Sequence, residues 1–489
     1  MLTVGRRKRA DDPLQAYLDQ PSPPLNQKAP SRKADLPPGP DMPLPISMLW
    51  AMCGFWYRRT PFLEQCRARY GTPFTFWMRI PPVPFVWFDD PDEVKAIFQG
   101  PADVLHCGNG SLELEHFFGR TGLTYMEEDE HLARRKVVMR STHGEELTRI
   151  NEAMREVAAQ EVAAWPRDRL FDVWPYAHRL ALKAIFQVCF GNDPDPRLRE
   201  LMGVVEQMLE YNNNPRLGFL ATQHVPEPLL RFLTTVQPHG FRRFFELRAE
   251  ADRLIFDLVA DRRRSGEAGE GLFAILLSSP GEDGEPIPAR ELRDEIMTTF
   301  LAGSASTASG ISWGIERLAR EHAVRERLVA ELEAGEDDAY LTATVQEILR
   351  RKPPLTGVIP RTTMKPFEVN GRWYPPGVRL VPTAYLVHHN PSIYPDPYAF
   401  RPERFLDEPP GTFTWIPFGG GRRRCLGKAV GENEIKFVLR ELLLRYELRP
   451  ADQRPAPSTS HTVVMRPSQD ARAFVAFTER SKQFAVTRA

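Results

Sequence analysis

The residues best suited to chemistry stand in one short run, Phe418-Gly-Gly-Gly-Arg-Arg-Arg-Cys-Leu-Gly427, directly ahead of a helical pattern over 428–446. A glycine-rich loop leading into a helix can cradle phosphate on its free amides. That use needs a Lys-Ser/Thr pair after the glycines or a Rossmann-type strand before them, and neither is present. A thiolate explains the loop better. It is a soft axial donor for haem iron, where its electron push favours O–O cleavage. Gly421 and Gly427 let the backbone approach a flat macrocycle and point amides at the sulfur of Cys425. Phe418 can pack beside it, and Arg423 can neutralise a propionate. The other cysteines, Cys53, Cys66, Cys107 and Cys189, have no such frame and read as small hydrophobes.

Positioning such a loop takes a large folded body, and the chain has the material for one. It holds 489 residues, 42% of them hydrophobic and 10% aromatic, which excludes global disorder. Its 64 basic and 64 acidic side chains cancel, so no bulk field draws it to nucleic acid. Five sparse cysteines exclude a disulfide scaffold and indicate a reducing, cytoplasmic setting. Apolar residues at three-to-four spacing predict helices near 147–164, 177–190, 198–212, 242–264, 289–320 and 322–334. Short strand-like runs cluster near 73–89 and 358–382. The fold class is therefore mainly α with small β-sheets. Because the two sheet-forming regions lie far apart in sequence, one sheet joining them favours a single large domain over residues 36–489. Residues 1–35 are polar and proline-rich and are expected to form a flexible tail; 264–288 is the one linker-like stretch inside the domain. Leu44 to Tyr57 is apolar but too short for a transmembrane span. It reads as a buried first helix, with an interfacial foothold as the second reading.

With these elements in place, the sequence resembles the cytochrome P450 family of haem-thiolate monooxygenases. The loop matches that family's Phe-x-x-Gly-x-Arg-x-Cys-x-Gly pattern at every defined position, and further matches in the same order extend over residues 36–489. Glu347 and Arg350 share a helix face and can pair. By the resemblance they form a buried triad with Arg404 of Phe400-Arg-Pro-Glu-Arg-Phe405. His131 and Arg135, one helical turn apart, fall where the family shows Trp-x-x-x-Arg, with His in place of Trp. Arg361 matches the family's other propionate-binding arginine. The resemblance thus implies haem b, held by His131, Arg135, Arg361, Phe418, Arg423 and Gly427, with Cys425 on the iron.

The departure lies in the helix near 289–320. Where the family carries an acid and an alcohol above the iron, this chain reads Ala302-Gly-Ser-Ala-Ser-Thr307. Ala305 stands at the acid position, Ser306 keeps the hydroxyl, and Thr307 follows. A serine here can also bond back to its own helix and let that turn open. The implied activity is a monooxygenase that acts on an apolar small molecule, a terpenoid, steroid, fatty acyl chain or polyketide, using dioxygen. The stretch 426–489 is too short for a flavin reductase, so electrons are expected from a separate ferredoxin or flavodoxin with its reductase. Two other readings stay open: a peroxygenase, isomerase or dehydratase needing no reductase, and a non-catalytic haem-binding sensor or carrier. The resemblance draws the pocket roof from Asp103 to Leu123 and Met202 to Phe245, with Leu301, Ala302 and Ala305 below and Leu355 to Ile359 beside them.

Overall fold

A computed structural model describes residues 14–15, 35–79, 82–108, 115–211, 227–236, 238–281, 284–335, 337–461, 463–470 and 474–480. Its helices of eight residues or more are α1 (Leu44–Tyr57), α2 (Arg59–Tyr70), α3 (Pro91–Gln99), α4 (Glu128–Met139), α5 (Gly144–Ala164), α6 (Trp174–Phe190) and α7 (Pro196–Tyr211). They continue as α8 (Glu227–Val236), α9 (Arg243–Ser265), α10 (Gly271–Ser278), α11 (Ala289–Leu318), α12 (His322–Ala334), α13 (Ala339–Arg351) and α14 (Lys428–Arg445). Local chemistry sets several of the ends. Asp90 caps α3 by accepting from the amides of Asp92 and Glu93 at 2.9 and 3.1 Å, with Pro91 opening the helix. Arg262, Arg263 and Arg264 line the last turn of α9, which stops at Gly266 in the left-handed region, φ 76°.

The main sheet has the order β1-β2-β7-β4-β3, from Phe74–Met78, Val83–Phe88, Arg379–Pro382, Arg361–Thr363 and Leu105–His106; β5 (Phe367–Val369) and β6 (Arg372–Tyr374) pair beside it. The early and late sequence regions meet where β2 runs parallel to β7, Phe85 opposite Arg379 and Phe88 opposite Pro382. Every other pairing of this sheet is antiparallel. That juncture is the long-range closure expected from the sequence.

The 30-residue α11 runs through the helical core. It is lined with small residues because its neighbours come close. A Cβ added at Gly303 would stand 2.5 Å from Ile185 on α6, and one at Gly310 would stand 2.5 Å from Ile435 on α14. Phe300 stacks on Phe186 with ring centres 4.3 Å apart.

Two sequence readings look different in three dimensions. The linker-like stretch 264–288 contains α10, with Leu272, Phe273 and Leu276 buried; its apolar run is only two turns long, and the Gly, Glu and Pro around it mask the pattern. Most of the expected tail, 1–35, lies outside the described residues. Within it Leu14 is buried in the main core, and Gln15 accepts a 2.6 Å hydrogen bond from Arg231 on α8. Among the described residues, no helix is long and apolar enough to cross a membrane. The helix α1 has the bounds expected from sequence, but it buries only Ser47, Ala51 and Trp56 and leaves Ile46, Leu49 and Tyr57 exposed.

Candidate active site

Cys425 sits at the end of a loop whose turns leave no room for side chains. The Gly421 backbone is left-handed, φ 63°, and a Cβ there would stand 2.1 Å from the Phe98 carbonyl. A Cβ on Gly420 would stand 2.2 Å from the Phe98 ring. The Cys425 amide donates to the Phe418 carbonyl at 2.9 Å, closing the loop, and the Gly427 amide is directed at the sulfur. The cysteine side chain is open to solvent, yet burial is the largest influence on its thiol and raises the pKa, against the Gly427 amide and the Arg135 and Arg424 charges. Protein thus surrounds the thiol on most sides while the residue keeps an open face.

The middle of α11 has an open face too. Ala302 is exposed and Ser306 only half-buried, although Ser304, Ala305, Thr307 and Ala308 around them are buried. The Ser306 hydroxyl donates to the Ala302 carbonyl at 2.6 Å, and α11 stays helical throughout, so the expected local opening is absent. Ala305 is 8% exposed. Thr307 turns elsewhere: its Oγ1 lies 3.7 Å from where a Cβ of Gly431 on α14 would be.

Cationic and imidazole groups converge beside the loop. His131 on α4 is buried, and its pKa is pushed down to about 3, first by burial and then by Arg423, Arg135, Arg422 and Arg361. It is therefore a neutral ring, and its buried Nδ1 has no hydrogen-bond partner among the described residues. Arg361, at the start of β4, is buried; it donates to the Ile359 carbonyl at 2.7 Å and lies over the Phe98 ring. Arg423 donates to the Leu123 carbonyl at 3.2 Å, to the Met126 carbonyl and to the carboxylate of Glu127. Arg135 donates to the Arg424 carbonyl at 2.8 Å, which places it against the backbone of the cysteine loop. An orphaned imidazole nitrogen beside two buried guanidiniums, next to an enclosed thiol, fits the carboxylates and the iron of a haem.

These features recur in a known family. Residues 37–473 match the family model for cytochrome P450. The chain is a cytochrome P450. Cytochrome P450 135B1 of Mycobacterium tuberculosis is 33% identical over 448 residues, spanning 89% of this chain and 90% of that protein. Cytochrome P450 137 of the same species is 32% identical over 384 residues, 77% of this chain and 78% of that one. Among solved structures, a retinoic acid bound cyanobacterial CYP120A1 superposes with a TM-score of 0.74 at 20% identity, covering 88% of this chain and 96% of that chain. The haem domain of cytochrome P450DA gives 0.74 at 17%, covering 91% and 98%. As a P450 the protein is a haem-thiolate oxidoreductase of the monooxygenase type.

The P450 scaffold is held near the loop by the expected triad. Arg350 forms a fork onto Glu347, Nε to Oε2 at 2.6 Å and Nη2 to Oε1 at 2.8 Å, with both residues at 0% exposure. Arg404 completes it, 3.4 Å from Glu347 Oε1. Spare donors of Arg350 reach the carbonyls of His388, Pro397 and Ala399. His388 carries the connection onward. The Ile416 amide donates to its Nε2 at 2.9 Å, so its one ring proton sits on Nδ1, facing the Arg350 carbonyl at 3.1 Å.

Sequence reasoning missed a second polar junction, in the first turns of α11. Asp294 Oδ2 accepts from the amides of Arg120 and Thr121 and from the Thr121 hydroxyl at 2.8–2.9 Å. Its Oδ1 accepts from Arg293 at 2.9 Å, and Arg293 reaches Asp252 on α9 at 2.5 Å. Glu295 accepts from the Leu123 amide at 2.9 Å, and burial pushes its pKa up to about 7. In the expected roof, Glu115 and Arg120 form a buried ion pair at 3.2 Å; residues 109–114, 212–226 and 237 of that roof lie outside the described ones. An acid at the start of a long helix carries no motif, and only the contact with a distant loop gives these residues meaning.

Proposed function

We propose that the chain is a monooxygenase placing one oxygen atom of dioxygen into an apolar small molecule, with Cys425 as the iron ligand. The observation that carries this reading is the enclosed but open Cys425 thiol, framed by Phe418 and the Gly427 amide. Bound haem b would supply the oxygen chemistry. The chain's own residues would do the rest. Phe418 and Gly427 frame the sulfur, and His131 offers its orphaned nitrogen to a propionate. Arg361 and Arg423 supply cations there, while Arg135 steadies the loop through the Arg424 carbonyl. Ser306, half-buried and bonded to the Ala302 carbonyl, can rotate its hydroxyl away to pass a proton from ordered water; Thr307 sits one residue on, against α14. Ala302 and Ala305 give a small, uncharged surface, which suits a terpenoid, steroid, fatty acyl or polyketide substrate. Exposed Arg422 and Arg424 suit an acidic ferredoxin or flavodoxin served by its reductase. Residues 36–489 form the catalytic unit behind the tail 1–35, and five free cysteines suit the cytoplasm.

The test is the Cys425→Ala variant. Loss of the thiolate-type spectrum of the reduced carbon monoxide complex is expected; its persistence would remove Cys425 from the iron. A second reading draws on the Ser306 hydroxyl being bonded to its own helix and on the missing acid at Ala305: chemistry that needs no reductase. The Ser306→Ala variant separates the two. Uncoupling of electron use from product is expected for a monooxygenase, and an unchanged product yield without any electron donor marks the alternative.

A further inference from the structure

Glu127 is a carboxylate set among the arginines of the propionate cluster, and several groups of the fold keep it there. Its Oε1 accepts from the Gly108 amide and its Oε2 from Arg423. The Cys107 amide also reaches it. Position 108 has to be glycine for this approach, because a Cβ there would lie 2.7 Å from the Tyr125 carbonyl and 3.0 Å from Glu127 Oε1. The pair is enclosed, with side-chain exposure of 9% for Arg423 and 18% for Glu127. Glu127 also lies within electrostatic reach of Arg361 and of buried Cys107. An acid used only to begin α4 would need no guanidinium. Asp90 shows the ordinary arrangement, taking two amides of its own helix.

The charges explain the extra partner. Arg135, Arg361, Arg422 and Arg423 bring four positive charges within reach of His131, which stays neutral. The two propionates of a haem would answer only two of them. Glu127 answers a third, and it does so by occupying the guanidinium that a propionate would otherwise have to itself. Burial raises the Glu127 pKa, while Arg423 and the Gly108 and Cys107 amides pull the other way and favour the carboxylate; an anion held in a poorly solvated place opposes the arrival of an electron nearby. We infer that Glu127 is a positioning and tuning residue of the haem site, holding Arg423 in a shared ion pair and keeping the reduction potential of the iron low. This rests on the haem reading above; a wild-type chain purified without haem would overturn that reading itself.

The experiment is spectroelectrochemical titration of the haem-loaded full chain. Glu127→Gln keeps the shape and the acceptor for Gly108 but removes the charge, and its midpoint should move positive, with the resting spin state and haem retention of wild type. Glu127→Asp keeps the charge and should stay near the wild-type midpoint. Glu128→Gln removes the neighbouring charge, which is 52% exposed and bonds His106, and should shift the midpoint much less. An unmoved midpoint in Glu127→Gln overturns the inference, as does an equal shift in Glu128→Gln, which would reduce the effect to net charge. Failure of Glu127→Gln to fold or to hold haem also overturns it, because the carboxylate would then be a loop anchor; in that event a displaced midpoint in Glu127→Asp would confirm the anchoring role.

Discussion

Glu347–Arg350–Arg404 and Asp252–Arg293–Asp294 are both buried carboxylate–guanidinium clusters, yet their remaining hydrogen bonds run to different kinds of backbone. In the first, the arginine is central to the surplus: Arg350 donates to carbonyls at His388, Pro397 and Ala399, all in one meander packed under α13. In the second, the carboxylate has the surplus. Asp294 gathers the amides of Arg120 and Thr121 from a loop, while Arg293 ties α11 to α9. The first cluster thus fixes a scaffold within one neighbourhood, whereas the second fastens three separate elements, α11, α9 and the loop at 120–121. Similar ions, buried to similar depth, can secure a frame or join separate parts.

The sharpest way to break the comparison is to remove a central member of each cluster. Arg350→Leu strands Glu347 at 0% exposure and should cost about 3–5 kcal/mol. Little haem-loaded protein should accumulate, and thermal unfolding should show the loss. Asp294→Asn keeps an acceptor for the loop but leaves buried Arg293 with less compensation. A smaller cost, about 1.5–3 kcal/mol, is expected. Hydrogen exchange should quicken at the Arg120 and Thr121 amides while the Gly421–Cys425 loop stays protected; equal quickening in both places would show that the two clusters are one.

The smallest expected effect concerns Glu295, whose pKa of about 7 is raised by burial, against the Leu123 amide and the Arg134 charge. An unfolded glutamate titrates at about 4.3. Between those values the folded chain holds the extra proton, so this group's contribution is fully present below about pH 4 and is lost as pH rises through about 7. Glu295→Gln should flatten that part of the stability profile and gain on the order of 1 kcal/mol at pH 8, read from denaturant unfolding at several pH values. A wild-type slope in the variant would place the titration elsewhere.

What could be read from the sequence divides along similar lines. The cysteine loop is a local pattern, so Phe418, Gly421, Arg423, Cys425 and Gly427 were visible together without any knowledge of the fold. Long amphipathic helices such as α5, α6 and α11 were visible because their period persists over many turns, while α10 was too short to stand out from its polar flanks. Glu347 and Arg350 could be paired by spacing, but Arg404 came through the family pattern. Glu127 and Asp294 could not be found this way. Glu127 meets Gly108 and Arg423, 19 and 296 residues away, and Asp294 meets Arg120 and Thr121, 174 and 173 away; an acid at a helix start looks the same in a sequence whether it faces water or a guanidinium. His131 was placed in the cluster by its position in the family motif; that it is neutral follows only from its burial among arginines.

One consequence of the His388 contacts concerns assembly tolerances. The imidazole has a single proton to give and a single lone pair to offer, and both are committed, one toward Arg350 and one toward Ile416, two residues ahead of Phe418. It behaves as a keyed coupling between two parts made separately along the chain. The ring fits only one way round, so the triad and the cysteine loop are aligned in angle as well as in distance, and a side chain that merely filled the same space would leave the joint free to turn.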